Sequence, residues 1–205
     1  MKKIMFNDRF GLTDAVLQGR KTMTRRIVGD RMTEDDIRAY FKGYTELADK
    51  AAPYKVGEVV AVAQSYKSIH EEMMNGDYGN SRYDAFRCAM VAGTKGWDNK
   101  MFVKADLMPY QIRITDIKVE HLQDISEEDA IKEGVFKYDE PPLHHEMDLY
   151  APWPPFVKPY KHDGDNLKYR CKARYAFAYL INKVSGRGTW ERNPYVFAYT
   201  FELLK

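Results

Sequence analysis

Tyr110-Gln111-Ile112-Arg113-Ile114-Thr115-Asp116-Ile117-Lys118-Val119-Glu120-His121 is the stretch from which the fold is read. Ile112 and Ile114 alternate with polar neighbours, as do Ile117 and Val119. That two-residue period belongs to a strand with one buried face. The two pairs fall out of phase across Thr115-Asp116, so a bend or bulge is expected there. Just beyond, Ser126-Glu127-Glu128-Asp129 is a helix-capping pattern, and Gly134 is placed to close the short helix it opens.

Shorter units of the same kind flank this block. Leu12, Ala15 and Val16 share one face of a short helix that Gly19 ends in a left-handed cap. Residues 22–28 are compatible with a strand. The turn Tyr54-Lys55-Val56-Gly57-Glu58 feeds the run Val59 to Ala63, and Tyr195 to Leu203 reads as a terminal strand. Thr33-Glu34-Asp35-Asp36 opens a helix expected to reach Ala51, with Ile37, Tyr40, Phe41, Tyr44 and Leu47 at helical spacing. A short helix is expected near Ile69 to Met74 and a longer, aromatic one over Ala173 to Val184, whose Tyr175, Phe177 and Tyr179 read as core. Residues 136–166 are Pro- and His-containing and irregular, as in a lid or surface insertion. Strands alternating with helices of unequal length predict an α+β fold with a curled sheet or small barrel.

The chain has 205 residues, 44% hydrophobic and 30% charged, which suits one globular domain over 1–205 and excludes a disordered polyelectrolyte. Apolar runs such as Val59-Val60-Ala61-Val62-Ala63 are too short to cross a bilayer, so no membrane association is expected. The start Met1-Lys2-Lys3-Ile4-Met5-Phe6 lacks the apolar stretch of a secretion signal. Cys88 and Cys171 have no metal-ligand spacing and suit a reducing cytoplasm. Net charge is +2 but unevenly spread. Residues 2–31 carry eight Lys/Arg against three acids, and residues 168–192 carry seven against one, whereas 120–148 carry ten acids. A basic face for phosphate and an ordinary solvated surface both accommodate this pattern.

Gly19-Arg20-Lys21-Thr22-Met23-Thr24-Arg25-Arg26, leading from a helix into a strand, resembles the signature of the ASCH domain family, a branch of the PUA-like superfamily. Three further blocks resemble the family in the expected order: Tyr54 to Val60, Ile114 to Val135, and Trp190 to Phe197, the last as in longer phage and prophage members. The resemblance implies a PUA-like β-barrel with flanking helices, elaborated by insertions near 29–53, 67–105 and 136–170. It also implies binding of RNA or of a modified nucleoside or nucleotide. One bacterial branch hydrolyses N4-acetylcytidine with a lysine as proton acceptor, a threonine as nucleophile and a glutamate as proton donor. Lys21, Thr24 and Glu133 occupy the matching positions.

A threonine hydroxyl needs a neighbouring base, and a lysine serves as one only when burial or nearby cations lower its pKa. Arg20, Arg25 and Arg26 are cationic neighbours in sequence. In an extended segment Thr22, Thr24 and Arg26 share one face while Lys21, Met23 and Arg25 share the other, so a turn after Gly19 is required to bring Lys21 to Thr24. Glu133, at a helix end within an acidic stretch, is the candidate acid. Two functions therefore stand: a nucleic-acid or nucleotide-binding module gripping phosphate through Arg20, Lys21, Arg25 and Arg26, or an amidohydrolase using Lys21, Thr24 and Glu133. A non-enzymatic protein adaptor is a third reading with less in the sequence behind it. Neither enzyme nor binder calls for a cofactor. His144-His145 with His162 and Asp163 lacks metal-ligand spacing, so no metal is expected. Trp153, Phe156 and Tyr160 either stack on bases or anchor the insertion to the core.

Overall fold

A computed structural model describes residues 1–75, 94–137, 150–151 and 172–204. It is a mixed α+β protein with a five-stranded mixed sheet. The strands are β1 (Lys2–Ile4), β2 (Met23–Ile27), β3 (Val59–Val62), β4 (Gln111–His121) and β7 (Tyr195–Leu204), hydrogen-bonded in the order β1-β3-β4-β7-β2. A two-residue pair, β5 (Phe136–Lys137) and β6 (Tyr150–Ala151), stands apart from it. Among the described residues no strand pairing joins β1 to β2 at the two ends of the order.

The chain divides into two compact units. The first comprises Met1–Phe6, Val59–Arg113 and Leu203–Lys205. Here β1 runs parallel to β3, which is antiparallel to the first residues of β4. Helix α4 (Tyr66–Asn75) follows β3, and Tyr66, Ile69, Ala61, Ala63, Val103 and Met108 form its core. The second unit comprises Asn7–Glu58 and Ile114–Glu202. It pairs β2 with β7 antiparallel, Met23 opposite Thr200 through Ile27 opposite Val196. Its helices are α1 (Leu12–Leu17), α2 (Glu34–Phe41), α3 (Glu46–Ala51), α5 (Glu127–Lys132), α6 (Ala173–Val184) and α7 (Thr189–Arg192).

Local chemistry accounts for these elements. In β4 the buried residues are Ile112 and Ile114, then Ile117 and Val119, so the side-chain phase changes at Thr115-Asp116 while the strand continues. Ser126 caps α5 by accepting from the Asp129 amide at 3.0 Å, and Gly134 leaves the helix in the left-handed region with φ +99°. Thr33 and Asp36 form a reciprocal capping box on α2. The helix expected to run on to Ala51 is instead two, α2 and α3, because Gly43 takes φ +111° and breaks the ladder. The apolar stripe assigned to it is likewise only partly buried: Phe41 and Tyr44 are exposed. In α6, Phe177 is core, as expected, whereas Tyr175 is exposed and Tyr179 only half-buried; Leu180 is buried beside Phe177. Cys88, Cys171, His144, His145, His162, Asp163, Trp153, Phe156, Tyr160 and most of the 136–170 insertion lie outside the described residues. No described helix is long and apolar enough to cross a membrane.

Because α5 is only six residues long, its cap carries a large share of its stability. Ser126→Ala is expected to lower unfolding free energy by about 1 kcal/mol, measured by urea denaturation. An unchanged midpoint would show that tertiary packing alone holds the helix.

Candidate functional site

Gly19 (φ +73°) turns the chain out of α1, and the next residues are held on three sides. The Lys21 amide donates to the Ala15 carbonyl, the Thr22 amide to the Lys132 carbonyl, and the Phe201 amide to the Thr22 carbonyl, each at 2.9 Å. The C-terminus of α5 is thereby brought against Lys21. Gly134 permits this approach, because a Cβ there would stand 3.3 Å from Leu12 Cδ2 and 3.4 Å from Lys21 Cδ. The aliphatic stem of Lys21 runs over the glycine that ends the Glu133 helix.

The Lys21 ammonium has three N–H donors. It contacts the Met23 carbonyl and the Glu133 carbonyl, each at 2.7 Å, and Glu133 Oε2 at 2.6 Å. Carbonyls along a strand point alternately to either side. Since the Thr22 carbonyl accepts from β7, the Met23 carbonyl faces the free edge of β2, and Lys21 occupies that edge. The other Glu133 oxygen, Oε1, accepts from Arg25 Nη1 at 3.2 Å. Arg25 also donates through Nε and Nη2 to Glu120 Oε1 at 2.9 and 2.6 Å, with Asp129 Oδ2 3.5 Å from Nη2. The side chains of Lys21, Arg25 and Glu133 are 2%, 1% and 5% exposed, whereas Glu120 and Asp129 are 22% and 28% exposed. Two buried cations thus face three carboxylates, the outer two reaching solvent.

Burial holds the Lys21 pKa below its ordinary 10.5. Glu133 opposes this through its charge and its hydrogen bond, while Arg26 and Arg25 add smaller downward contributions. Lys21 therefore meets the requirement for a lysine base, that desolvation favour its neutral form.

Thr24 is buried on β2 and lies opposite Tyr199 of β7. Strand alternation puts Thr24 and Arg26 on one face and Met23 and Arg25 on the other. The turn after Gly19 is present, as required, but it carries Lys21 to the sheet edge rather than onto the Thr24 face. Lys21 and Glu133 meet directly; Thr24 adjoins them through the Met23–Thr24 peptide, whose oxygen Lys21 holds. Burial also pushes the pKa of the Tyr199 phenol above its ordinary range.

The four cations assigned to phosphate divide into two pairs. Lys21 and Arg25 are turned inward onto carboxylates. Arg20 and Arg26 stay partly exposed; Arg20 donates to Gln18 Oε1 at 3.0 Å and lies 5.9 Å over the Phe136 ring. Glu120 and Asp129 were not anticipated in the site. Asp129 was findable, since Asp129 and Glu133 are four apart on one helix face. Glu120 becomes a partner only through the pairing of distant strands. No group of His, Cys, Asp and Glu suited to a metal occurs among the described residues. Comparison of the chain with protein-family models, curated proteins and solved structures returned no match.

Removing one member of a buried ion pair strands the other. Glu133→Ala is expected to cost about 3–5 kcal/mol in chemical unfolding. The lowered Lys21 pKa has a signed consequence. Between the folded pKa and 10.5 the unfolded chain holds more protons at this site, so stability from Lys21 rises with pH across that window. Relative to Lys21→Met, the parent should gain unfolding free energy on going from neutral to alkaline pH. A pH-independent difference between the two proteins would refute the buried, depressed lysine.

Proposed function

We propose that this chain is an ASCH-type, PUA-like protein of the cytoplasm that takes a modified nucleoside at Lys21, Thr24 and Glu133 and hydrolyses its exocyclic amide. In this reading the five strands belong to a PUA-like barrel, N4-acetylcytidine is the first substrate to test, and no cofactor takes part. The observation that carries it is the buried 2.6 Å contact between Lys21 Nζ and Glu133 Oε2, one peptide from Thr24.

A base and an acid are both needed, and one proton shift supplies them. Moving a proton from Lys21 to Glu133 along that contact leaves a neutral amine, the form of Lys21 that burial favours, and a carboxylic acid. The Thr24 hydroxyl then attacks the acyl carbon, its proton passing to Lys21 by way of a bridging water, since the two side chains do not share a face. Glu133 protonates the departing amine nitrogen, the C–N bond breaks, and an acyl-threonine ester remains. Water attacks the ester and gives a proton to Glu133, while Lys21 returns its proton to the Thr24 oxygen. The acyl group leaves as a carboxylic acid, and both residues regain their neutral forms.

A second reading, recognition of RNA or a nucleotide without chemistry, is supported by the saturation of the Lys21 donors, as in a purely structural ion pair. Its phosphate contacts would fall to Arg20 and Arg26.

Purified protein incubated with N4-acetylcytidine should release cytidine, followed by chromatography. Thr24→Val and Glu133→Gln, checked for folding, should each lose about a hundredfold or more in turnover. No turnover by the parent on a panel of acylated nucleosides, together with RNA binding that Arg20→Ala and Arg26→Ala weaken, would favour recognition alone.

A further inference from the structure

The geometry assigns Arg25 as the positioning residue of the site: its fork, anchored on Glu120, fixes Glu133 so that Oε1 belongs to arginine and Oε2 alone faces Lys21. This rests on the reading in which Lys21 and Glu133 exchange a proton. It adds a residue that neither touches substrate nor carries a proton.

A carboxylate beside a lone ammonium is free to offer it either oxygen. Here the choice is removed. Arg25 Nη1 holds Oε1 at 3.2 Å, and the other two donating nitrogens, Nε and Nη2, converge on Glu120 Oε1 at 2.9 and 2.6 Å. Three contacts from one rigid plane, with the side chain 1% exposed, leave the guanidinium a single orientation. A lysine at position 25 would keep the charge and lose the plane. Arginine does not deprotonate in proteins, so the chain from Glu120 to Lys21 is no proton wire. Its effect is to hold one oxygen out of the exchange. The groups around Lys21 come from three elements: Glu133 and Asp129 from α5 and its end, Arg25 and Arg26 from β2, and Glu120 from β4 through Arg25.

The test follows Lys21 itself, using protein labelled with carbon-13 at lysine Cε and assigned through Lys21→Arg. In the parent the Lys21 signal should titrate below the ordinary lysine range. In Arg25→Lys, Glu133 regains both oxygens for Lys21 and the titration should move upward; a role of charge alone predicts no movement. Glu120→Ala loosens the fork from its half-exposed outer end. Positioning predicts an upward movement there too, whereas simple loss of a negative charge predicts a downward one. On an acylated nucleoside, Arg25→Lys should lower kcat by about a hundredfold with KM little changed, the size expected of a misplaced group. Parental titration and kcat in both folded variants would overturn the proposal, as would a downward movement in Glu120→Ala. If Arg25→Lys does not fold, Glu120→Ala decides by the direction of its movement. Should the parent turn over no acylated nucleoside, the hydrolase reading falls, while the Lys21 titrations still decide whether Arg25 orients the pair.

Discussion

An ammonium carried out of water must find enough oxygen to replace its hydration, and Lys21 finds it in two backbone carbonyls and one carboxylate. That demand organises the second unit. The carboxylate must come from the end of α5, so the helix has to stop at Glu133. The lysine stem must lie over that end, so the next residue has to be one without a side chain. Gly134 satisfies both through its positive φ and its closeness to Lys21. The Met23 carbonyl must be open, so the edge of β2 there has to be one that no described strand pairs.

Arg25 extends the arrangement outward. A second buried cation would be unfavourable beside the first if Glu133 were the only anion available. Glu120 and Asp129 supply the balance from the half-exposed end, so the charge grades from a dry interior to a wetted rim. Pairs of this kind seldom add net stability over an apolar core. In a unit whose core is otherwise apolar, a buried ion pair with a depressed lysine pKa marks this place as the candidate site.

The same burial decides how the basic segment is understood. Of the cations in residues 2–31, Lys3 donates to the carbonyls of Met101 and Val103, each at 2.7 Å, and Lys21 and Arg25 are held by carboxylates. A count of positive charge overstates the surface offered to phosphate, because a side chain's charge and its direction are separate matters. Arg20 and Arg26 keep partial exposure.

Much of the fold was legible because it is written in local rules. The caps at Ser126 and Thr33, the left-handed glycines 19 and 134, the phase change at Thr115-Asp116 and the span of the helix Ala173–Val184 each depend on residues a few positions apart. The break at Gly43 was missed because five apolar residues kept helical spacing across it, and periodicity does not register one glycine's φ. For the site, sequence placed Lys21, Thr24 and Glu133 in one group by resemblance, and helical spacing could have added Asp129. Only the tertiary structure decided that Arg25 turns inward, that Glu120 anchors it, and that Lys21 reaches Glu133 directly but Thr24 through a peptide. These outcomes depend on which edge of β2 is free and which helix end meets it. Strand order and helix docking are set by contacts between residues about a hundred positions apart, and no local pattern carries that information.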